Sequence, residues 1–128
     1  MKYLYLLSFL SFFMLNCQSG IGHGHSIDSP TLFQVLQQND SVQLIDVRTP
    51  KEFKGAYIKG AKNFNFFDEA FIDSIKTLNR NKPIYLYCRS GNRSMKSIEK
   101  IKALGFTELY SLNGGIIDWE KKGYEVLH

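Results

Sequence analysis

Cysteine is scarce in this chain: 128 residues contain two, Cys17 and Cys88. So few cannot build a disulfide framework. No second cysteine follows in Cys88-Arg89-Ser90-Gly91, which excludes thiol exchange through a nearby resolving cysteine. Histidine is also rare, with three residues. Two of them, His23 and His25, flank Gly24 on a glycine-rich stretch with no further ligand nearby, so they read as a solvated spacer and not as a metal site. Charge of one sign is not in large excess. The formal net charge is +4, or +3 if Lys2 is removed with residues 1–16. That slightly favours small anionic substrates and is too little to indicate nucleic acid. No apolar run reaches the roughly 20 residues of a membrane span. No internal repeat appears. With 44% hydrophobic and 22% charged residues, the chain is long enough for one core and too short for two domains.

The N-terminus carries a separate signal. Lys2 precedes an apolar run from Tyr3 to Leu15, the pattern of a secretory leader. Asn16 and Cys17 end it. A cysteine here resembles the cleavage site of a bacterial lipoprotein, in which Cys17 is lipidated and becomes the new N-terminus. Asn16 departs from the small residue usual at that point. From Gln18 to Ser29 the chain is polar and glycine-rich and reads as a tether. The expected organisation is a signal peptide over 1–16, a lipid-attachment cysteine and flexible linker over 17–28, and one domain over 29–128. The expected location is exported, periplasmic or anchored to an envelope membrane. Cleavage to a soluble periplasmic form and an uncleaved anchor are the alternatives.

The rest of the chain alternates strand and helix signals. Ser29-Pro30 starts a helix with Leu32, Phe33, Val35 and Leu36 on its apolar face. Val42–Val47 reads as a strand, Asp68–Leu78 as a helix, and Pro83–Tyr87 as a buried strand. A helix from about Arg93 to Leu104 buries Met95, Ile98, Ile101 and Leu104, with Gly105 capping its end. Leu109–Leu112 is a further strand. Gly114-Gly115 opens a last helix carrying Trp119, and Tyr124–Val126 adds a terminal strand. This alternation predicts an α/β fold: an open, twisted, parallel sheet with helices on both faces. Sites in such sheets lie beyond the carboxyl ends of the strands.

Cys88 stands at such an end. It is followed by Arg89, Ser90, Gly91, Asn92, Arg93 and Ser94, a tight loop that turns into a helix N-terminus. Unpaired N–H groups and the helix dipole there stabilise a thiolate. They lower its pKa from about 8.5 into a range of roughly 3.5–7.5. Arg89 and Arg93 add positive charge. The residues point to a nucleophilic sulfur that also holds an anion, and not to an inert core thiol. A lone free thiol in an exported protein signals a reactive role. Asp46 and Arg48 end another strand and approach the same crevice. They either support the loop or substrate, or form an internal ion pair, for example Arg48 with Glu52, that fastens the turn. The second reading is favoured. Trp119 and its two preceding glycines read as packing.

Three separated segments resemble the rhodanese (sulfurtransferase) family. Leu44–Phe53 with Ile58–Asn63 is similar to its first signature, Cys88–Ser94 to its active-site loop, and Leu112–Trp119 with Gly123 to its C-terminal signature. One departure is Ala56-Tyr57, where the family usually shows Gly-His. The resemblance implies a single rhodanese-like domain in which Cys88 takes a sulfane sulfur from an anionic donor such as thiosulfate. The resulting persulfide is held by loop residues 89–94 and discharged to a thiol or cyanide. It implies no metal and no cofactor. Partners are then a small sulfur donor and acceptor, and a membrane through the lipid anchor.

Two rivals come from other classes. A phosphate-cleaving cysteine loop has five residues between cysteine and arginine; here there are four, which suits a sulfur atom better than a tetrahedral phosphate. A persulfide carrier or docking module, receiving sulfur from a protein partner, would use the same loop.

Overall fold

The computed structural model describes residues 24–128. Its elements, in chain order, are β1 (Gly24–Ile27), α1 (Ser29–Gln38), β2 (Gln43–Asp46), α2 (Pro50–Gly55), β3 (Lys62–Asn63), α3 (Phe71–Lys76), β4 (Ile84–Tyr87), α4 (Asn92–Ile101), a 3-10 turn (Lys102–Leu104), β5 (Leu109–Leu112) and α5 (Gly115–Lys121). The strands form one sheet in the order β1-β5-β4-β2-β3. Every neighbouring pair is parallel.

Strand alternation sorts the core into two layers. Ile45, Ile84, Leu86 and Leu109 face Phe71 and Ile75 of α3 and Ile98 and Ile101 of α4. Leu44, Tyr87 and Leu112 face the other way, onto Leu32 of α1 and Ile116 and Trp119 of α5. Both sheet faces are therefore covered by helices, as the strand–helix alternation predicts. All five strands point their carboxyl ends to one edge. That edge carries the turns after Asp46 and Tyr87 and the Asn113-Gly114 turn into α5.

Three local expectations change, and one helix is new. The tether predicted through Asp28 ends earlier, because Gly24–Ile27 pairs with Leu109–Leu112 as edge strand β1. Its polar, glycine-rich composition hid this. Gly24 is there for closeness: a Cβ would lie 2.5 Å from Ile98 Cγ2. Met95, expected in the core, is 47% exposed. Three residues turn a helix by about 300°, so a row spaced by threes drifts about 60° per step and leaves the buried face. The buried row of α4 is Ser94, Ser97, Ile98 and Ile101, and Leu104 packs from the 3-10 turn. The predicted terminal strand reduces to one antiparallel bridge, Tyr57 with Leu127, since the chain turns away at Lys59-Gly60. Helix α2 was not anticipated. Thr49 caps it, with Glu52 closing a capping box and Pro50 in its first turn.

Candidate active site

The chain leaves β4 at Tyr87 and enters α4 at Asn92, so Cys88 to Gly91 form the connecting loop. Cys88 is 1% exposed and is the sole free cysteine among the described residues. The Gly91 N–H donates to its Sγ at 3.1 Å. Ser94 Oγ lies 3.7 Å from the same sulfur. Burial pushes the thiol pKa up. The backbone amide and hydroxyl of Ser94 and the amides of Gly91 and Ser90 pull it down and prevail, leaving it below the ordinary thiol value.

The loop is held from behind by α5. Ile116 N–H donates to the Cys88 carbonyl at 3.0 Å, and Ile117 N–H to the Arg89 carbonyl at 3.2 Å. In a trans peptide the C=O and N–H point in opposite directions. Anchoring these two carbonyls therefore turns the Arg89 and Ser90 amides away from α5, and the Ser90 amide is among those that lower the Cys88 thiol pKa. Gly115 permits the approach. Its φ is +61°, and a Cβ would sit 2.4 Å from the Arg89 carbonyl oxygen, where no side chain fits.

The two loop arginines have different surroundings. Arg89, Ser90 and Asn92 are exposed at the mouth, and Gly91 is half-buried. Arg93 spends its fork on Glu52 of α2: Nη1 to Oε2 and Nη2 to Oε1, both at 2.8 Å. This bidentate pair ties the first turn of α4 to α2. The Phe67 ring lies 6.0 Å from the Arg93 guanidinium. Glu52 is the site residue that sequence reasoning misplaced, on Arg48. Its local signal was the Thr49-x-x-Glu52 capping box; its partner lies too far along the chain to be read.

Asp46 and Arg48 form the buried ion pair. Arg48 Nε lies 3.0 Å from both Asp46 carboxylate oxygens, and Nη2 donates to Oδ2 at 2.6 Å. Nη2 also donates to the Ala56 carbonyl at 2.6 Å. Asn63 Nδ2 donates to the carbonyls of both residues. These bonds fasten the β2–α2 turn and do not run to the cysteine loop, so the fastening reading holds with Asp46 in place of Glu52. Cys17 and His23 lie outside the described residues. No group of three or more potential metal ligands occurs among those described. A cavity of about 340 Å³ lies elsewhere, between α1, Ile58–Gly60 and Trp119; Cys88 does not line it.

The Glu52–Arg93 tie has a pH signature. The Arg93 hydrogen bonds, against the opposing effect of burial and with help from Thr49, lower the Glu52 pKa from 4.5 to about 2. A depressed carboxylate adds stability above its ordinary pKa and loses it as pH falls from 4.5 through about 2. Glu52→Gln is expected to lower stability at neutral pH and to flatten the pH dependence over that window. Urea unfolding of both proteins at stepped pH measures this. An unchanged slope would remove the tie as a source of acid sensitivity.

Comparison with known proteins bears on the whole domain. The family model described as "Rhodanese-like domain" matches residues 29–122. An uncharacterized protein, YqhL, from Bacillus subtilis is 41% identical over 81 residues, covering 62% of each chain. The chain thus spans less than two thirds of that relative. Thiosulfate sulfurtransferase GlpE from Ectopseudomonas mendocina is 31% identical over 91 residues, covering 71% of this chain and 81% of that one. The crystal structure of a rhodanese-like domain protein from Staphylococcus aureus superposes with a TM-score of 0.69 at 31% identity, covering 81% of this chain and 99% of the other. By family match, fold and the placement of its cysteine loop, this chain belongs to the rhodanese-like domain family.

Proposed function

We propose that this protein is a sulfurtransferase that carries sulfane sulfur as a persulfide on Cys88, between thiosulfate or a similar anionic donor and a thiol or cyanide acceptor. The observation that carries the reading is the Cys88 sulfur under its amide loop, with Gly91 N–H at 3.1 Å and a lowered thiol pKa. Relatives named as sulfurtransferases support sulfur transfer as the reaction class. Exposed Arg89 attracts the anion at the mouth. The Cys88 thiolate attacks the outer sulfur of thiosulfate. The Sγ–S bond forms, the S–S bond of the donor breaks, and its electron pair leaves with sulfite. The terminal sulfur of the persulfide carries negative charge, which the loop amides stabilise. An acceptor nucleophile then attacks that sulfur, and the electron pair of the Sγ–S bond returns to Cys88. Two covalent states imply ping-pong kinetics. The scheme calls for no metal or organic cofactor.

Incubation with thiosulfate is expected to add the mass of one sulfur atom to the peptide containing Cys88. Folded protein that stays unloaded, or native protein that efficiently hydrolyses an aryl phosphate, would overturn the reading.

One observation favours a protein-borne donor as a second reading. Phe67 and Ile117 are 66% and 41% exposed. Phe67 faces Arg93, and Ile117 is bonded through its N–H to Arg89. A small anion makes no use of exposed apolar side chains beside the loop arginines, whereas a protein surface can pack on them. Turnover with thiosulfate and cyanide, against turnover only with a protein persulfide, separates the two.

We further propose that the chain is exported and anchored by a lipid on Cys17. The support is the Lys2 start, the apolar run to Leu15 and the position of Cys17. Labelling with a radioactive fatty acid is expected to mark the wild type and not Cys17→Ala. A label that persists in the variant, or protein recovered from the cytoplasm with Met1 intact, would overturn it.

A further inference from the structure

Behind the loop, Ser111 occupies a core-facing position on β5. Strand alternation puts it in the row of Leu109, on the side of the sheet covered by α4. It is 1% exposed, and Ser94 is fully buried. Their Oγ atoms are 2.6 Å apart, and either can be the donor. Ser94 Oγ is also 3.0 Å from the Gly91 carbonyl oxygen and 3.7 Å from Cys88 Sγ.

Each hydroxyl has one proton. Among the described residues, the Ser111 hydroxyl has one hydrogen-bond partner, Ser94. If Ser94 donated to Ser111, the Ser111 proton would be buried without an acceptor, at a cost of about 1–3 kcal/mol. The satisfied arrangement has Ser111 donating to Ser94. The Ser94 proton then has two places to go: the Gly91 carbonyl or the sulfur. A neutral thiol leaves it on the carbonyl; an ionised sulfur attracts it. A hydroxyl that accepts one hydrogen bond is a stronger donor of the next.

We propose that Ser111 is a positioning residue for the Cys88 thiolate, acting through the Ser94 hydroxyl. By occupying a Ser94 lone pair, it keeps the Ser94 proton aimed forward, between the loop carbonyl and the sulfur. When the sulfur is ionised, the chain runs from Ser111 to Ser94 to Sγ. When the sulfur becomes the inner, uncharged atom of a persulfide, the Ser94 proton returns to the Gly91 carbonyl. Discharge makes Cys88 the leaving group: the acceptor bonds the terminal sulfur, the Sγ–S bond breaks, and its electron pair goes to Sγ. A better stabilised thiolate leaves faster. That kinetic consequence rests on the persulfide reading; the stabilisation of the thiolate does not.

Other charges around the loop are accounted for separately. They are Arg89 within it, Arg93 of α4 with Glu52 of α2, the Asp46–Arg48 pair at the end of β2, and Asp118 of α5, bonded to Ser29 and Lys122. None is bonded to Ser111, so changes at Ser111 leave them in place.

The test is the ultraviolet absorbance of the thiolate against pH in the full chain, with Cys88→Ser as the blank. Ser111→Ala and Ser111→Val are expected to raise the midpoint by about 0.5–1 pH unit, roughly a three- to ten-fold loss of thiolate below it. Ser111→Thr keeps the hydroxyl and is expected to stay within about 0.2 unit. In a Ser94→Ala background, Ser111→Ala is expected to add no further shift. Thermal unfolding checks that each variant is folded. An unmoved midpoint in folded Ser111→Ala and Ser111→Val, a threonine variant shifted as far as alanine, or a full shift persisting without Ser94 would each overturn the proposal. The readout needs no turnover, so a Ser111-dependent midpoint in a protein that fails to load sulfur would overturn the transferase reading and leave this one standing.

Discussion

Cys88→Ser is expected to reduce sulfur transfer at least about a thousand-fold, to the uncatalysed background, while the domain stays folded. Serine is the nearest hydroxyl counterpart in shape, slightly smaller, and its oxygen can still accept from the Gly91 N–H that donates to Sγ at 3.1 Å. What it loses is chemistry. A hydroxyl is not ionised by a loop that only lowers a thiol's pKa, and an oxygen forms no persulfide. No other cysteine stands among residues 24–128, so nothing in the domain replaces it. Steady-state rates with thiosulfate and cyanide, with circular dichroism as the control for folding, measure the effect. A folded serine variant that keeps more than about a tenth of wild-type turnover would sink the covalent mechanism.

The largest structural effect is expected at Gly115. A Cβ there would meet the Arg89 carbonyl oxygen at 2.4 Å, the Arg89 carbonyl carbon at 2.5 Å and the Cys88 carbonyl oxygen at 2.6 Å. All three are backbone atoms, so no rotamer change relieves the contact. Either α5 or the cysteine loop must move, breaking the bonds from Ile116 and Ile117 to the loop carbonyls. The left-handed φ of +61° adds about 1–2 kcal/mol for a non-glycine residue, and overpacking adds about 1–3. Gly115→Ala is therefore expected to lose about 3 kcal/mol of stability or more. It is also expected to lose about a hundred-fold in turnover, the scale for misplacing a reactive group by an ångström. Gly123→Ala is the control. Its φ is also positive, at +83°, but nothing lies within 4 Å, so strain without collision is expected to leave turnover intact. Denaturant unfolding and transfer assays on both variants test the pair. Wild-type stability and activity in Gly115→Ala would show that the close approach does not set the cradle.

What could be read from the residues was local. The cysteine segment is seven consecutive positions, 88 to 94, running from the end of an apolar strand into the first turn of α4, so its residues could be read together. Strands β2, β4 and β5 announced themselves because β-branched, leucine and aromatic residues bury on both faces of a parallel sheet. The Thr49–Glu52 box was equally local, yet too short a signal to announce α2. Strand β1 was hidden for a different reason. Gly24-His25-Ser26 has the composition of a tether, and it becomes a strand only because β5 supplies the parallel partner.

By itself, the amino-acid sequence determined the alternation of β2, β4 and β5 with α1, α3, α4 and α5, and the cysteine loop that follows β4. Side-chain periodicity and turn residues act over a few positions, within the reach of local sterics and hydrogen bonding. Tertiary structure alone decided which group answers which. Arg93, expected to add positive charge to the loop, meets Glu52 of α2. Arg48 turns to Asp46 in place of Glu52. The Ser94 hydroxyl meets Ser111 from β5, and the first turn of α5 holds the carbonyls of the cysteine loop. Apart from Arg48 and Asp46, which are two residues apart, each contact joins segments well separated in the chain. Hydrogen bonds and ion pairs have a reach of about 3 Å, so such partners exist only after the sheet has brought its carboxyl edge together.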